Sequence, residues 1–208
     1  MGSGDATVYF GRGLAYWWNG QYDSAIDDFT EVIGSDPKLA AGWYHRGLTY
    51  AKQGHLHRAI ADFSKAISLD PTLAEAYTER GTAHQENGEF DRAIADFTAA
   101  IRLNDTLAYY NRGNAYARKG ELDKAIADYS EAISLNPRDA DAYVNRGIAY
   151  DSLGEWDNAI ADYDEAIRLD PTQALGYYNR GISYANKGDQ AKAAADFAKA
   201  KELGFPPK

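Results

Sequence analysis

The sequence has no cysteine, which removes disulfides, thiolate metal sites and cysteine nucleophiles together. It has no apolar run of about 18 residues, the length a membrane-spanning helix requires, so no segment is expected to cross a membrane. It has no cluster of Lys or Arg either. The 22 basic residues are outnumbered by 31 acidic ones, for a net charge of −9. A nucleic-acid binder needs a basic face to neutralise phosphate, so nucleic acid is not an expected partner. Apolar residues at 45% and charged residues at 25% fit a folded globular chain. A length of 208 residues makes one large domain or two small ones. Met1-Gly2-Ser3-Gly4 reads as a cloning remnant and not as a targeting signal. The cytoplasm is the expected location, or the periplasm had a leader been removed.

What is present has a period. Of 19 glycines, 12 fall into two series. Gly13, Gly47, Gly81, Gly113, Gly147 and Gly181 form the first, and Gly20, Gly54, Gly88, Gly120, Gly154 and Gly188 follow seven residues later. The spacing is 34 residues, except for 32 between Gly81 and Gly113. Ala25, Ala59, Ala93, Ala125, Ala159 and Ala193 keep step, as do Phe29, Phe63, Phe97, Tyr129, Tyr163 and Phe197. Pro37, Pro71, Pro137 and Pro171 each close a unit. A fixed period of this length predicts a solenoid of stacked units.

Each unit reads as two helices, here called A and B. Tyr143, Gly147 and Tyr150 share one helical face, and Gly154 stops that helix. A second helix over about 156–168 aligns Ala159, Ile160, Tyr163, Ala166 and Ile167 before Pro171 ends it. Gly147 and Ala159 lie where the two helices cross, with the tyrosines around them. One such pair cannot bury its apolar face alone, so neighbours must stack.

The pattern Trp43, Gly47, Tyr50, Gly54, Ala59, Phe63, Ala66, Pro71 resembles the tetratricopeptide repeat. The resemblance covers residues 6–203 as six repeats, 6–39, 40–73, 74–105, 106–139, 140–173 and 174–203. Residues 1–5 and 204–208 are left as tails. It implies an all-α, right-handed superhelical solenoid of antiparallel helix pairs, about twelve helices in all. Three departures stand out: Arg precedes each first glycine, His84 replaces a helix-A tyrosine, and Leu103-Asn104-Asp105-Thr106 is a short junction without proline. In repeat 6, Gln190, Ala194 and Lys201 interrupt the apolar stripe, as a terminal cap would.

Chemistry-bearing patterns are sparse. His55 and His57 are two imidazoles in a turn, short of the three or four ligands a metal needs. Gly11-Arg12-Gly13 lacks the strand and third glycine of a dinucleotide loop. No serine elbow is present, and Asp162, Asp164 and Glu165 lack the glycine of a calcium loop. No catalytic residue, metal or cofactor is assigned. Arg12, Arg46, Arg80, Arg112, Arg146 and Arg180 each have an Asp sixteen residues later, at 28, 62, 96, 128, 162 and 196. That pairing predicts six structural ion pairs, worth at most ~1 kcal/mol each if exposed.

The variable face of the A helices carries the functional expectation. In the resembled family this face lines a concave groove that holds peptides. Its residues here are Tyr44, Glu75, Glu79, Tyr110, Asn111, Asn114, Arg118, Val144, Asn145, Ile148, Tyr178 and Asn179. Asn114 and Asn145 resemble the amides of the family's carboxylate clamp, but Tyr110, Leu175 and Asn179 stand where its basic residues belong. Asn111, Asn145 and Asn179 match the asparagine ladder by which some members hold an extended peptide backbone, or are simply how this chain writes its first helix. Acidic groove residues favour a basic segment with apolar anchors. Phe10, Trp17 and Trp18 crowd the first helix and offer a surface for self-association. The expected function is a non-enzymatic protein-interaction scaffold. The alternatives are a homo-oligomerisation module or a regulatory part of a larger enzyme.

Overall fold

The computed structural model describes residues 3–205; Met1, Gly2 and the end of the C-terminal tail, 206–208, lie outside the described residues. Twelve α-helices, and no strand among the described residues, make the chain all-α. They are α1 (Ser3–Trp18), α2 (Tyr22–Ser35), α3 (Ala40–Lys52), α4 (Leu56–Leu69), α5 (Ala74–Glu86), α6 (Phe90–Arg102), α7 (Leu107–Lys119), α8 (Leu122–Leu135), α9 (Ala140–Ser152), α10 (Trp156–Leu169), α11 (Ala174–Asn186) and α12 (Gln190–Glu202). Odd-numbered helices are the A members and even-numbered ones the B members. No helix among the described residues is long and apolar enough to cross a membrane. The first helix starts at Ser3, inside the stretch read as a tail.

The chain divides into two compact units, one up to Ala108 and one from Tyr109. Within the first, α1 packs on α2, α3 on α4 and α5 on α6, while α2 meets α3 and α4 meets α5. Within the second, α9 packs on α10 and α11 on α12, while α8 meets α9 and α10 meets α11. Arg112 of α7 bonds Asp128 of α8.

The two glycine series have separate causes. Gly20, Gly54, Gly88, Gly120, Gly154 and Gly188 have φ between 74° and 85°, a left-handed conformation that side chains resist. There the N–H of the residue after the glycine reaches back, as in His55 N–H to Tyr50 C=O at 2.9 Å, and ends each A helix. The other series is steric. A Cβ on Gly147 would lie 2.6 Å from Tyr163 Cε1, and on Gly47 2.8 Å from Phe63 Cε1. The missing Cβ lets the B-helix ring lie against the A-helix backbone. Phe29, Phe63, Phe97 and Tyr163 are 0% exposed and Tyr129 2%, each worth roughly 1.5–3 kcal/mol of burial. Phe197 is 37% exposed, in keeping with a terminal pair.

All six Arg–Asp pairs form, each through Nε and Nη2 to the two carboxylate oxygens at 2.6–2.9 Å. The aspartates are only 4–6% exposed and five of the arginine side chains 16–21%, so those five are not the solvent-exposed pairs whose worth is small, whereas Arg12 is 51% exposed. The guanidinium also lies against flanking rings: Arg46 is 5.0 Å from Trp43 and 5.9 Å from Tyr50. Its remaining Nη1 turns to the preceding pair. Arg46 donates to Thr30 Oγ1 at 3.1 Å, Arg80 to Ser64 Oγ at 3.0 Å and Arg146 to Ser130 Oγ at 2.9 Å. Arg180 meets a carboxylate instead, Asp164 Oδ1 at 2.6 Å.

The short junction has its own geometry. Elsewhere Asp36, Asp70, Asn136 and Asp170 leave the B helix extended, with φ from −132° to −138°. At the short junction Asn104 takes φ 68°, and Asp105 N–H closes back on Ala100 C=O at 3.0 Å. Asp105 then accepts from Thr78 Oγ1 at 2.5 Å and from Leu107 N–H at 3.0 Å, starting α7.

Candidate functional site

In the first unit the A-helix face is aromatic, then acidic. Phe10 is half-buried, its ring 5.9 Å from Phe29 and 5.2 Å from His45, so it belongs to the packing of the first helix pair. Trp17 is half-buried with its indole N–H enclosed and unpaired. Trp18, edge-on to it at 5.0 Å, is 79% exposed. Tyr44 leans on Phe63 at 6.0 Å and on His45 at 5.2 Å. Burial, with Glu79 and Glu75 nearby, pushes its hydroxyl up to about 12. Glu79 is half-buried, and burial raises its carboxyl above the ordinary value, with Lys52 opposing and Glu86 and Asp105 adding. Glu75 and Glu86 are exposed. Negative charge therefore gathers beside Tyr44.

In the second unit the face is built of amides and hydroxyls. Asn145 Nδ2 donates to Tyr110 Oη at 2.8 Å and to Asn114 Oδ1 at 3.2 Å. Tyr129, a B-helix residue, donates its hydroxyl to Asn114 Oδ1 at 2.8 Å. Both amide hydrogens of Asn145 are thereby used within the chain, which leaves its carbonyl oxygen to accept. Asn179 is half-buried with Nδ2 enclosed and unpaired, and Asn111 is half-buried. The three asparagines sit on α7, α9 and α11 but are not chemically equivalent. The next pair repeats the theme with a carboxylate. Tyr163 Oη donates to Asp151 Oδ2 at 2.8 Å, and Ser183 Oγ donates to both oxygens of Asp151 at 2.7 and 2.9 Å. Burial raises the Asp151 carboxyl, and the two hydroxyl donors work against that.

One expected contact residue is displaced. Val144, read as part of the exposed face, is 2% exposed and packs with Ala159, Tyr163 and Ala166. A helical wheel places it on the right side but not at the right depth, because α10 covers it. Ile148, one turn on, is 39% exposed and offers the apolar contact there. Arg118 is exposed. Tyr178 lies 5.6 Å from Phe197 and stacks on Phe205 at 4.3 Å. The sequence also carried an unused signal. Thr30, Ser64 and Ser130 precede their arginines by sixteen residues, mirroring the Asp sixteen residues after, and Asp164 keeps that place before Arg180.

Family models described as tetratricopeptide repeat match residues 6–39, 40–73, 74–107 and 174–203, and one described as TPR repeat matches 113–154 and 150–188. No curated protein matches the chain. Among solved structures, MamA is 33% identical over 76% of this chain and 93% of its own, with a TM-score of 0.72. YrrB, described as a TPR protein with an unusual peptide-binding site, is 25% identical over 85% of this chain and 92% of its own, with a TM-score of 0.73. A tetratricopeptide repeat protein from Parabacteroides merdae shares the fold, at 20% identity over 98% of this chain and 82% of its own, with a TM-score of 0.83.

Proposed function

Because the chain belongs to the tetratricopeptide-repeat family, whose members are in general protein–protein interaction scaffolds, we propose that it is a non-enzymatic scaffold holding a peptide or protein segment along its A-helix faces. The observation that carries this reading is a division of labour within each helix pair. The repeated residues, glycine, arginine, aspartate and ring, are consumed by packing. The A-helix positions that differ from pair to pair, Glu75, Glu79, Asn111, Ile148 and Asn179 among them, carry chemistry that the packing does not require. Such an arrangement suits recognition, because a rigid frame presents side chains at little further entropic cost.

The segment is basic and carries apolar anchors. Glu75 and Glu79 beside Tyr44 attract cationic side chains, and Ile148 accepts an apolar one. The asparagines contribute single hydrogen bonds of ~0.5–1.5 kcal/mol each, so their effect is cumulative. A capture experiment identifies the segment, and titration against the triple variant Asn111→Ala, Asn145→Ala, Asn179→Ala at two salt concentrations tests the mode. Affinity should drop at least tenfold in the triple variant and weaken with salt. Unchanged affinity in a folded variant rejects the ladder, and salt-independent affinity rejects the charge preference.

A second reading has its own observation. Trp18 and Val8, at 79% and 64% exposed, leave large apolar surface on α1. Self-association through this end predicts a dimer by light scattering at micromolar concentration and a monomer for Trp18→Ala.

A further inference from the structure

Phe205 occupies a place that no other repeat gives to a ring. Counting from the first residue of its repeat, it stands where Pro71 and Pro171 stand in theirs. Its backbone completes the end of α12: Gly204, at φ 89°, lets Phe205 N–H reach Ala200 C=O at 2.9 Å. The ring then lies on Tyr178, centroids 4.3 Å apart and planes within 25°. In two earlier repeats the matching tyrosine also leans on its B-helix ring, Tyr44 on Phe63 and Tyr110 on Tyr129, both at 6.0 Å. The hydroxyl of Tyr110 is engaged by Asn145 of the next pair. Tyr178 instead has Phe205, a residue outside any helix, stacked on its ring. Next to Tyr178, Asn179 keeps an amide donor enclosed and without an acceptor. The closed arrangement thus covers an aromatic face and leaves one hydrogen bond unmade.

We propose that Phe205 is an internal stand-in for ligand: the Tyr178 face is a subsite for an aromatic side chain of an extended segment, and the chain's own tail holds it until such a segment displaces it. This rests on the A-helix faces being the binding surface and specifies one end of that surface. Displacement needs only rotation of the Phe205 side chain, because the backbone bond to Ala200 can persist while the ring swings away. The ligand's aromatic residue takes the vacated ring position, and a backbone carbonyl beside it accepts from Asn179 Nδ2. An aromatic pair supplies about a three- to tenfold factor, and the tail is always present at high local concentration. The intact chain should therefore bind an aromatic segment several-fold more weakly than a chain whose ring has been removed.

The test uses the chain's own tail as probe, a synthetic peptide of the sequence Leu-Gly-Phe-Pro-Pro-Lys, followed by NMR shifts of the Tyr178 ring and the Asn179 side-chain amide. The Phe205→Ala chain should bind the peptide about three- to tenfold more tightly than the unaltered chain. Adding Tyr178→Ala should abolish the difference, and a peptide with Ala in place of Phe should not bind. Phe205→Leu keeps an apolar cap without the ring and should behave like Phe205→Ala, which separates the latch from helix-end stability. Equal binding to unaltered and Phe205→Ala chains, or shifts confined to residues away from α11, overturns the proposal. The tail-peptide measurement uses no physiological partner. Failure here would leave the asparagine titration standing, and failure there would leave this one standing.

Discussion

Arg146 of α9 grips Asp162 of α10 with two parallel bonds, Nε to Oδ2 at 2.8 Å and Nη2 to Oδ1 at 2.7 Å. Asp162 is 5% exposed, so the arginine is what keeps a buried carboxylate tolerable. Arg146→Ala should cost about 2–4 kcal/mol in urea unfolding, somewhat below the loss for a fully enclosed pair. Arg146→Met with Asp162→Leu should recover much of that, since no charge is then stranded. A double variant as unstable as the single one would show that the guanidinium's stacking on Tyr143, and not the ion pair, is what matters.

The steric glycines should not be equal. Gly147→Ala drives a methyl into Tyr163, which is 0% exposed and has nowhere to go, and should cost about 1–3 kcal/mol. Gly181→Ala meets Phe197 at 2.8 Å, but that ring is 37% exposed and can give way. There the gain of ~0.5–1 kcal/mol from replacing a helical glycine should offset most of the clash. Thermal melts of the two variants decide it, and equal losses would mean that Phe197 is as confined as Tyr163.

Trp17 and Trp18 should separate in the same way. Trp18→Ala should change stability by less than about 0.5 kcal/mol, as exposed positions do. Trp17→Ala, half-buried, should cost about 1–2 kcal/mol. Sedimentation of both variants then shows whether either residue joins copies of the chain.

Glu79 makes a pH prediction. Burial raises its folded carboxyl above the ordinary 4.5, so the folded chain holds that proton to higher pH than the unfolded chain does. A folded state with more bound protons loses stability as pH rises through that interval. Glu79→Gln should therefore raise the melting temperature at pH 7 and leave it nearly unchanged at pH 4. A lower melting temperature at pH 7 would show that attraction to Lys52 outweighs burial.

Much of the fold was legible because it repeats. A Gly thirty-four residues from the last one, or an Asp always sixteen after an Arg, is visible without coordinates, and each proved to be a packing device. The A-helix face was legible in direction only. Val144 and Ile148 share it, yet one is 2% and the other 39% exposed, since depth depends on where α10 lies. The use of Asn145 by Tyr110 and the stack of Phe205 on Tyr178 were hidden for a related reason. Each joins residues whose separation carries no periodic signal.

The hydroxyls of Tyr129 and Tyr163 bear on how freely this surface can change. Where the B helix carries Phe29, Phe63 or Phe97, the ring asks nothing of the A-helix face beyond room. Where it carries tyrosine, the ring's oxygen emerges at Asn114 or Asp151 and must find an acceptor there. Those two positions answer to the interior as well as to any ligand. Drift toward a new binding preference is therefore cheap along α3 and α5 and constrained along α7 and α9. A lineage of such proteins would diversify one half of its surface while the other stayed chemically still.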